Sequence, residues 1–297
     1  MMDDRPHVFG FWDHLLGVYT PAEGTAADRD PQPLAMVFLT PGMLHHVGPF
    51  GLHVEVGRAL AEEGIASFRF CLSGIGESFG VGDAHCSTAR AVIETRQAMD
   101  FLEREYGIER FLLFGLCSGA DDSVNTALAD TRVVGLSLLD ACSFPTWQFL
   151  VRRWGIHQPR KLWQRLAHPL RERDRLERTT DWPTTLIGGD DIREFPPQQQ
   201  AEAEIQQLVD RGVDLLFLYT GGLPKSFNHE RQFYEMFPRL EDRGRVRVEH
   251  YPDFDHTLRL IEDRQAIVAA VAKWVAQRAD PRWTDPRWTA EESLAGS

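Results

Sequence analysis

The sequence has no run of about 18 apolar residues, the length a helix needs to cross a bilayer, so no membrane span is expected. Basic residues are in short supply: 32 Lys and Arg stand against 44 Asp and Glu, a formal charge of −12. A general nucleic-acid binder needs a net basic surface to meet phosphates, so no nucleic-acid partner is expected. Cysteine is scarce too, at positions 71, 86, 117 and 142, with no CxxC pair. The opening Met1-Met2-Asp3-Asp4-Arg5-Pro6 lacks the basic-then-apolar pattern of a secretory signal. Together these absences predict a cytoplasmic protein with reduced thiols rather than a disulfide scaffold.

What is present is a globular composition, 43% apolar and 26% charged over 297 residues, enough for one large core with an insertion. Residues 7–20 alternate weakly and predict an edge hairpin. Short apolar runs follow at 35–40, 65–70, 110–114, 133–139, 213–219 and 246–251. Between them lie helical patterns over 54–63, 87–106, 198–210, 230–237 and 261–278. Strands alternating with helices predict βαβ units, hence a doubly wound, mostly parallel α/β sheet covered on both faces.

The rhythm breaks between 143 and 195, where Trp147, Phe149, Leu150, Trp154, Trp163, Leu166 and Trp182 recur among charges. This stretch reads as an inserted helical cap, with 1–142 and 196–279 forming the core. Across 151–180 nine Arg and Lys face three Asp and Glu, inside an otherwise acidic chain. The plain reading is a solvated helical face; the sharper one is an anionic partner, such as a carrier-borne acyl group or a coenzyme A ester. Residues 280–297 read as a tail in which Asp280-Pro281-Arg282-Trp283-Thr284 is repeated as Asp285-Pro286-Arg287-Trp288-Thr289.

The segment with most chemical content is Phe111-Leu112-Leu113-Phe114-Gly115-Leu116-Cys117-Ser118-Gly119-Ala120. A β-run enters it and a helix leaves it. Glycines two before and two after Cys117 are what a sharp strand-to-helix turn requires. With Ser118 as nucleophile instead, Leu116 would occupy a crowded site. This segment resembles the nucleophile elbow of the α/β-hydrolase superfamily, with cysteine in the usual serine place. Pro41-Gly42-Met43 resembles its oxyanion loop, and Phe70-Cys71-Leu72-Ser73-Gly74-Ile75-Gly76-Glu77-Ser78 its glycine-rich loop, with Cys71 where an Asp is usual. Asp255-His256 stands before the last helix, where the histidine belongs. In detail the chain, over about residues 8–278, is similar to the hydrolases encoded beside bacterial exopolysaccharide and exosortase genes.

The resemblance implies a triad of Cys117, His256 and an acid, with the Ser118 amide and that of Met43 or Leu44 as oxyanion donors. The strand that usually delivers the acid ends Leu218-Tyr219-Thr220-Gly221-Gly222 and carries no carboxylate until Glu230. Asp140, after the preceding strand, stands where haloalkane dehalogenases place theirs; Glu230, Asp190 and Asp191 are the alternatives. Asp255 reads as a local turn residue. The implied activity is hydrolysis of an ester or thioester through a Cys117 acyl-enzyme, a small or carrier-borne acyl compound being the partner. Transfer of the acyl group to an amine or alcohol, and a non-catalytic binding role, stay open. No cofactor is expected, since 74–78 lacks the third glycine of a dinucleotide loop. His45 and His46 are adjacent but have no ligands at zinc spacing, so no metal or disulfide site is expected at them or at Cys71 and Cys142.

Overall fold

A computed structural model describes residues 3–23, 33–42, 44–80, 87–153, 195–222 and 227–278. Its centre is one eight-stranded sheet: β1 (Arg5–Phe9), β2 (Leu15–Thr20), β3 (Leu34–Leu39), β4 (Ala66–Phe70), β5 (Arg110–Leu116), β6 (Val133–Leu139), β7 (Asp214–Thr220) and β8 (Val246–Tyr251). The spatial order is β1-β2-β4-β3-β5-β6-β7-β8. β1 and β2 form the antiparallel edge hairpin; from β4 to β8 every neighbouring pair is parallel.

The side-chain period of two sorts the strands' apolar residues into two cores. Val37, Phe111, Leu113, Leu215 and Phe217 face one way, against Met99 and Leu102 of α2 (Ser87–Tyr106), Ala120 and Ala127 of α3 (Ser118–Ala129) and Leu208 of α5 (Gln198–Asp210). Met36, Phe38, Leu112, Phe114, Leu216 and Leu218 face the other way, against Leu52, Val56 and Leu60 of α1 (Leu52–Glu62) and Ile267, Val271 and Trp274 of α7 (Ile261–Arg278). Central strands buried on both faces explain why they read as unbroken apolar runs rather than alternations.

Two helices differ from their expected bounds. α1 starts at Leu52 rather than 54, because a short 3₁₀ turn over Pro49–Gly51 ends on left-handed Gly51 (φ 85°) and delivers the chain directly into it. The helix expected at 230–237 is the five-residue α6 (Gln232–Met236). Most of the expected cap (154–194) and the expected tail lie outside the described residues, as do Asp190 and Asp191. Of the stretch expected to form the cap, the described part includes α4, at 147–153, which buries Phe149. Arg152 there donates to both carboxylate oxygens of Glu235 (2.8 and 2.7 Å) and to Asn228 (3.0 Å). Its charge is thus committed to holding α4 on α6.

Candidate active site

β5 leaves the sheet at Leu116 and α3 begins at Ser118, so Cys117 must reverse the chain alone. It does so at φ 56°, ψ −119°, a conformation that strains any residue with a side chain. The close turn also fixes its neighbours. A Cβ on Gly115 would collide with the Gly119 carbonyl, and one on Gly119 would sit 2.5 Å from the Leu39 oxygen. Leu116 is buried in the core beneath. Ser118 points its hydroxyl to the loop after β3, where Oγ accepts the Gly42 N–H at 2.8 Å.

Asp140 follows β6 directly, is fully buried and also has positive φ (51°). Its Oδ1 accepts the Thr220 N–H and its Oδ2 the Thr220 hydroxyl, both at 2.7 Å. Oδ2 lies 2.7 Å from Nδ1 of His256, in the loop between β8 and α7. The imidazole also hydrogen-bonds Cys117. Burial opposes charge on His256, but these bonds and the anionic forms of Asp140 and Cys117 prevail and push its pKa up to about 10. The ring is one-third exposed, so it is reachable from outside.

The structure thus brings Cys117, His256 and Asp140 into one chain of contacts. Glu230 is exposed, ahead of α6. Asp255 accepts the Thr257 N–H (2.8 Å) and Arg259 N–H (3.3 Å), the local turn its position predicts. The Leu44 amide donates to Pro41 O at 3.1 Å, so the turn already uses it; Met43 lies outside the described residues.

Two features went unread in the sequence. Thr220 ends β7, where an acid was sought, and supplies the donors that hold the acid of the neighbouring strand. Gly222 lies under the histidine loop: a Cβ there would collide with the His256 backbone N and come 2.5 Å from its Cβ. The missing carboxylate was itself the signal for Thr220; nothing local marked Gly222.

A second constellation lies on the loops leaving β3 and β4. Donor atoms of His45, His46, Cys71 and Glu77 all lie within 4.8 Å of one another, a set capable of holding a metal. His45 Nε2 is 3.0 Å from Glu77 Oε2, and His46 Nδ1 is 3.3 Å from Cys71 Sγ. Burial, with the neighbouring His45 and Arg69 charges, pushes His46 down to about 4; burial pushes the Cys71 thiol up. Sequence spacing missed this set because its halves come from different loops, joined only by the pairing of β3 with β4.

No protein-family model and no curated protein sequence matches the chain. Solved structures do. A proline iminopeptidase from Mycobacterium smegmatis superposes with a TM-score of 0.59 at 16% identity, over 93% of this chain and 99% of that one. The esterase Pf2001 from Pyrococcus furiosus gives 0.58 at 12%, over 96% and 91%. XC6422 from Xanthomonas campestris, an α/β serine hydrolase without lid, gives 0.52 at 16%, over 92% and 94%. With its mostly parallel eight-stranded sheet and helices on both faces, the chain has the α/β-hydrolase fold.

Proposed function

We propose that the protein is a hydrolase that cleaves a carboxylic ester or thioester through an acyl-enzyme on Cys117. The observation that carries this reading is the unbroken contact from the buried Asp140 through His256 to a cysteine on a strained strand–helix turn. The hydrolase and esterase names of the structural neighbours agree with it at the level of reaction class.

In this reading Asp140, held by Thr220, fixes the tautomer with Nδ1–H toward the carboxylate and favours the imidazolium. An ordinary thiol, with pKa about 8.5, is only a few per cent ionised at pH 7. A charged histidine and the N-terminus of α3 both favour the thiolate. The Sγ lone pair attacks the acyl carbon, and the carbonyl π pair moves to oxygen. The Ser118 N–H, at the first turn of α3, is one donor for that oxyanion, with Met43 the second candidate; each such donor contributes about 3 kcal/mol. Collapse breaks the bond to the leaving group, which takes the Nε2 proton of His256. Neutral His256 then accepts a proton from water as the water oxygen attacks the thioester. Collapse releases the carboxylic acid and the Cys117 thiolate.

Because that acyl-enzyme is a thioester, an amine or alcohol in place of water yields a transferred acyl group by the same steps. The test is intact-protein mass after brief exposure to p-nitrophenyl esters and acyl thioesters. An acyl adduct and turnover are expected, both lost in Cys117→Ala, with amine and alcohol arms reporting transfer. No adduct and no turnover across the panel would overturn the reading in favour of a binding role.

A further inference from the structure

Outside the Cys117 site, the cluster of His45, His46, Cys71 and Glu77 is the densest group of metal-capable side chains among the described residues. Its plain reading is two hydrogen-bonded pairs, His45 with Glu77 and His46 with Cys71. That reading accounts for each pair but not for their convergence. Two loops from different strands aim one sulfur, two imidazole nitrogens and one carboxylate oxygen at a common volume.

We propose that these four residues bind one borderline divalent transition-metal cation, zinc by donor chemistry, and that this ion pins the loop after β3 to the loop after β4. Thiolate and imidazole select zinc over magnesium or calcium, which prefer all-oxygen sets. Zinc bonds of about 2.0–2.3 Å set tetrahedral donor separations of roughly 3.3–3.7 Å. The His45–Glu77 and His46–Cys71 separations, 3.0 and 3.3 Å, are already close to that, and the widest, at most 4.8 Å, closes with about 1 Å of side-chain movement. One thiolate and one carboxylate balance the two charges of the ion.

The surroundings are built to hold the donors in place. The His46 N–H donates to Cys71 Sγ at 3.3 Å, and His53 Nδ1–H donates to the His46 carbonyl at 3.1 Å. Ser78 Oγ donates to the Cys71 carbonyl (2.7 Å) and accepts the Leu16 N–H (3.0 Å), fixing the turn that carries Glu77. Partners of this second layer orient ligands and sharpen affinity in metal sites. Gly76, at φ 57°, lets the turn close over the cluster: a Cβ there would sit 2.8 Å from His45 Cδ2 and 2.9 Å from Cys71 Sγ. Cys71 and His46 are buried, whereas His45 and Glu77 reach solvent, which leaves an approach for the ion. Four protein donors make a closed site, the structural rather than catalytic kind. His45 lies three residues beyond Gly42, whose amide is bonded to Ser118, so the ion would brace the loop beside the elbow.

The experiment uses the full chain, stripped with a chelator and titrated with Co²⁺ and Zn²⁺. One equivalent is expected, with a Co²⁺–thiolate charge-transfer band, the visible bands of tetrahedral Co²⁺, and a Zn²⁺-dependent rise in Tm. Cys71→Ser removes the thiolate band and Cys117→Ala retains it. His45→Ala and Glu77→Gln, both at exposed positions that leave the core intact, weaken binding at least tenfold. Three results would each overturn the proposal: no binding at micromolar metal, binding unchanged in both exposed-ligand variants, or a thiolate band lost in Cys117→Ala but kept in Cys71→Ser. None depends on whether Cys117 is a nucleophile.

Discussion

Two cysteine–histidine pairs lie on loops at the same edge of one sheet, and their surroundings drive them in opposite directions. His256 contacts Cys117 and is pushed up to about 10; His46 lies 3.3 Å from Cys71 and is pushed down to about 4. The residue types are the same, so the difference lies in what stands behind each imidazole. Behind His256 is a buried carboxylate with two Thr220 donors. Around His46 there is little solvent, His45 and Arg69 add to the effect, and Glu77 offsets it only in part. A carboxylate in line favours the charged imidazole, whereas burial above all keeps a neutral one, the form a metal takes.

Removing the carboxylate should break this contrast most strongly. Asp140→Asn is expected to lower kcat on any ester substrate by roughly 10⁴-fold, as loss of the orienting acid does in comparable triads. In the same variant the His256 titration, followed by NMR, should fall from about 10 toward 6.5; a value still near 10 would mean that Asp140 is not what charges it. Thiol reactivity sharpens the comparison next. In chelator-treated protein at pH 7, Cys117 should be alkylated at least about 100-fold faster than Cys71, read by peptide mass, since the thiolate is the reactive form. Equal rates would remove the distinction.

Gly222→Ala should displace the His256 backbone and lower kcat by about tenfold or more, since misplacing a catalytic group by 1 Å costs up to about 100-fold. An unchanged rate would show that the histidine loop is not registered by that contact. The smallest effect is on stability against pH. The folded pKa of His256 lies above its unfolded value, so its contribution is full below about 6.5 and is lost as pH rises through about 10. Denaturation midpoints of the wild type should therefore decline over that window more steeply than those of Asp140→Asn; parallel curves would contradict the assignment.

The sheet was legible because its central strands are buried on both faces and announce themselves as apolar runs; β6, β8, α2, α5 and α7 fall where the pattern puts them. The edge hairpin showed only as weak alternation, since β1 is largely exposed. The elbow was legible because steric demands at Gly115 and Gly119 leave a spacing in the sequence. The Asp140–His256 contact was legible only as one choice among several carboxylates, because 116 residues separate the two and the choice depends on which strand end faces the histidine loop. Gly222 and the four-donor cluster were not legible at all, and Thr220 only through the carboxylate missing from the end of β7. Each acts across strands that the sheet order makes neighbours, a relation that no local pattern records.

The adjacency of Cys117 and Asp140 along the chain bears on how such a protein can diversify. β5, α3 and β6 form a single crossover unit, and Asp140 is the residue that follows it. A graft, enlargement or replacement between 143 and 195 would leave that unit whole, and the returning chain would need to bring back Thr220, Gly222 and His256. Inheritance can therefore treat the thiol and the carboxylate as one heritable block.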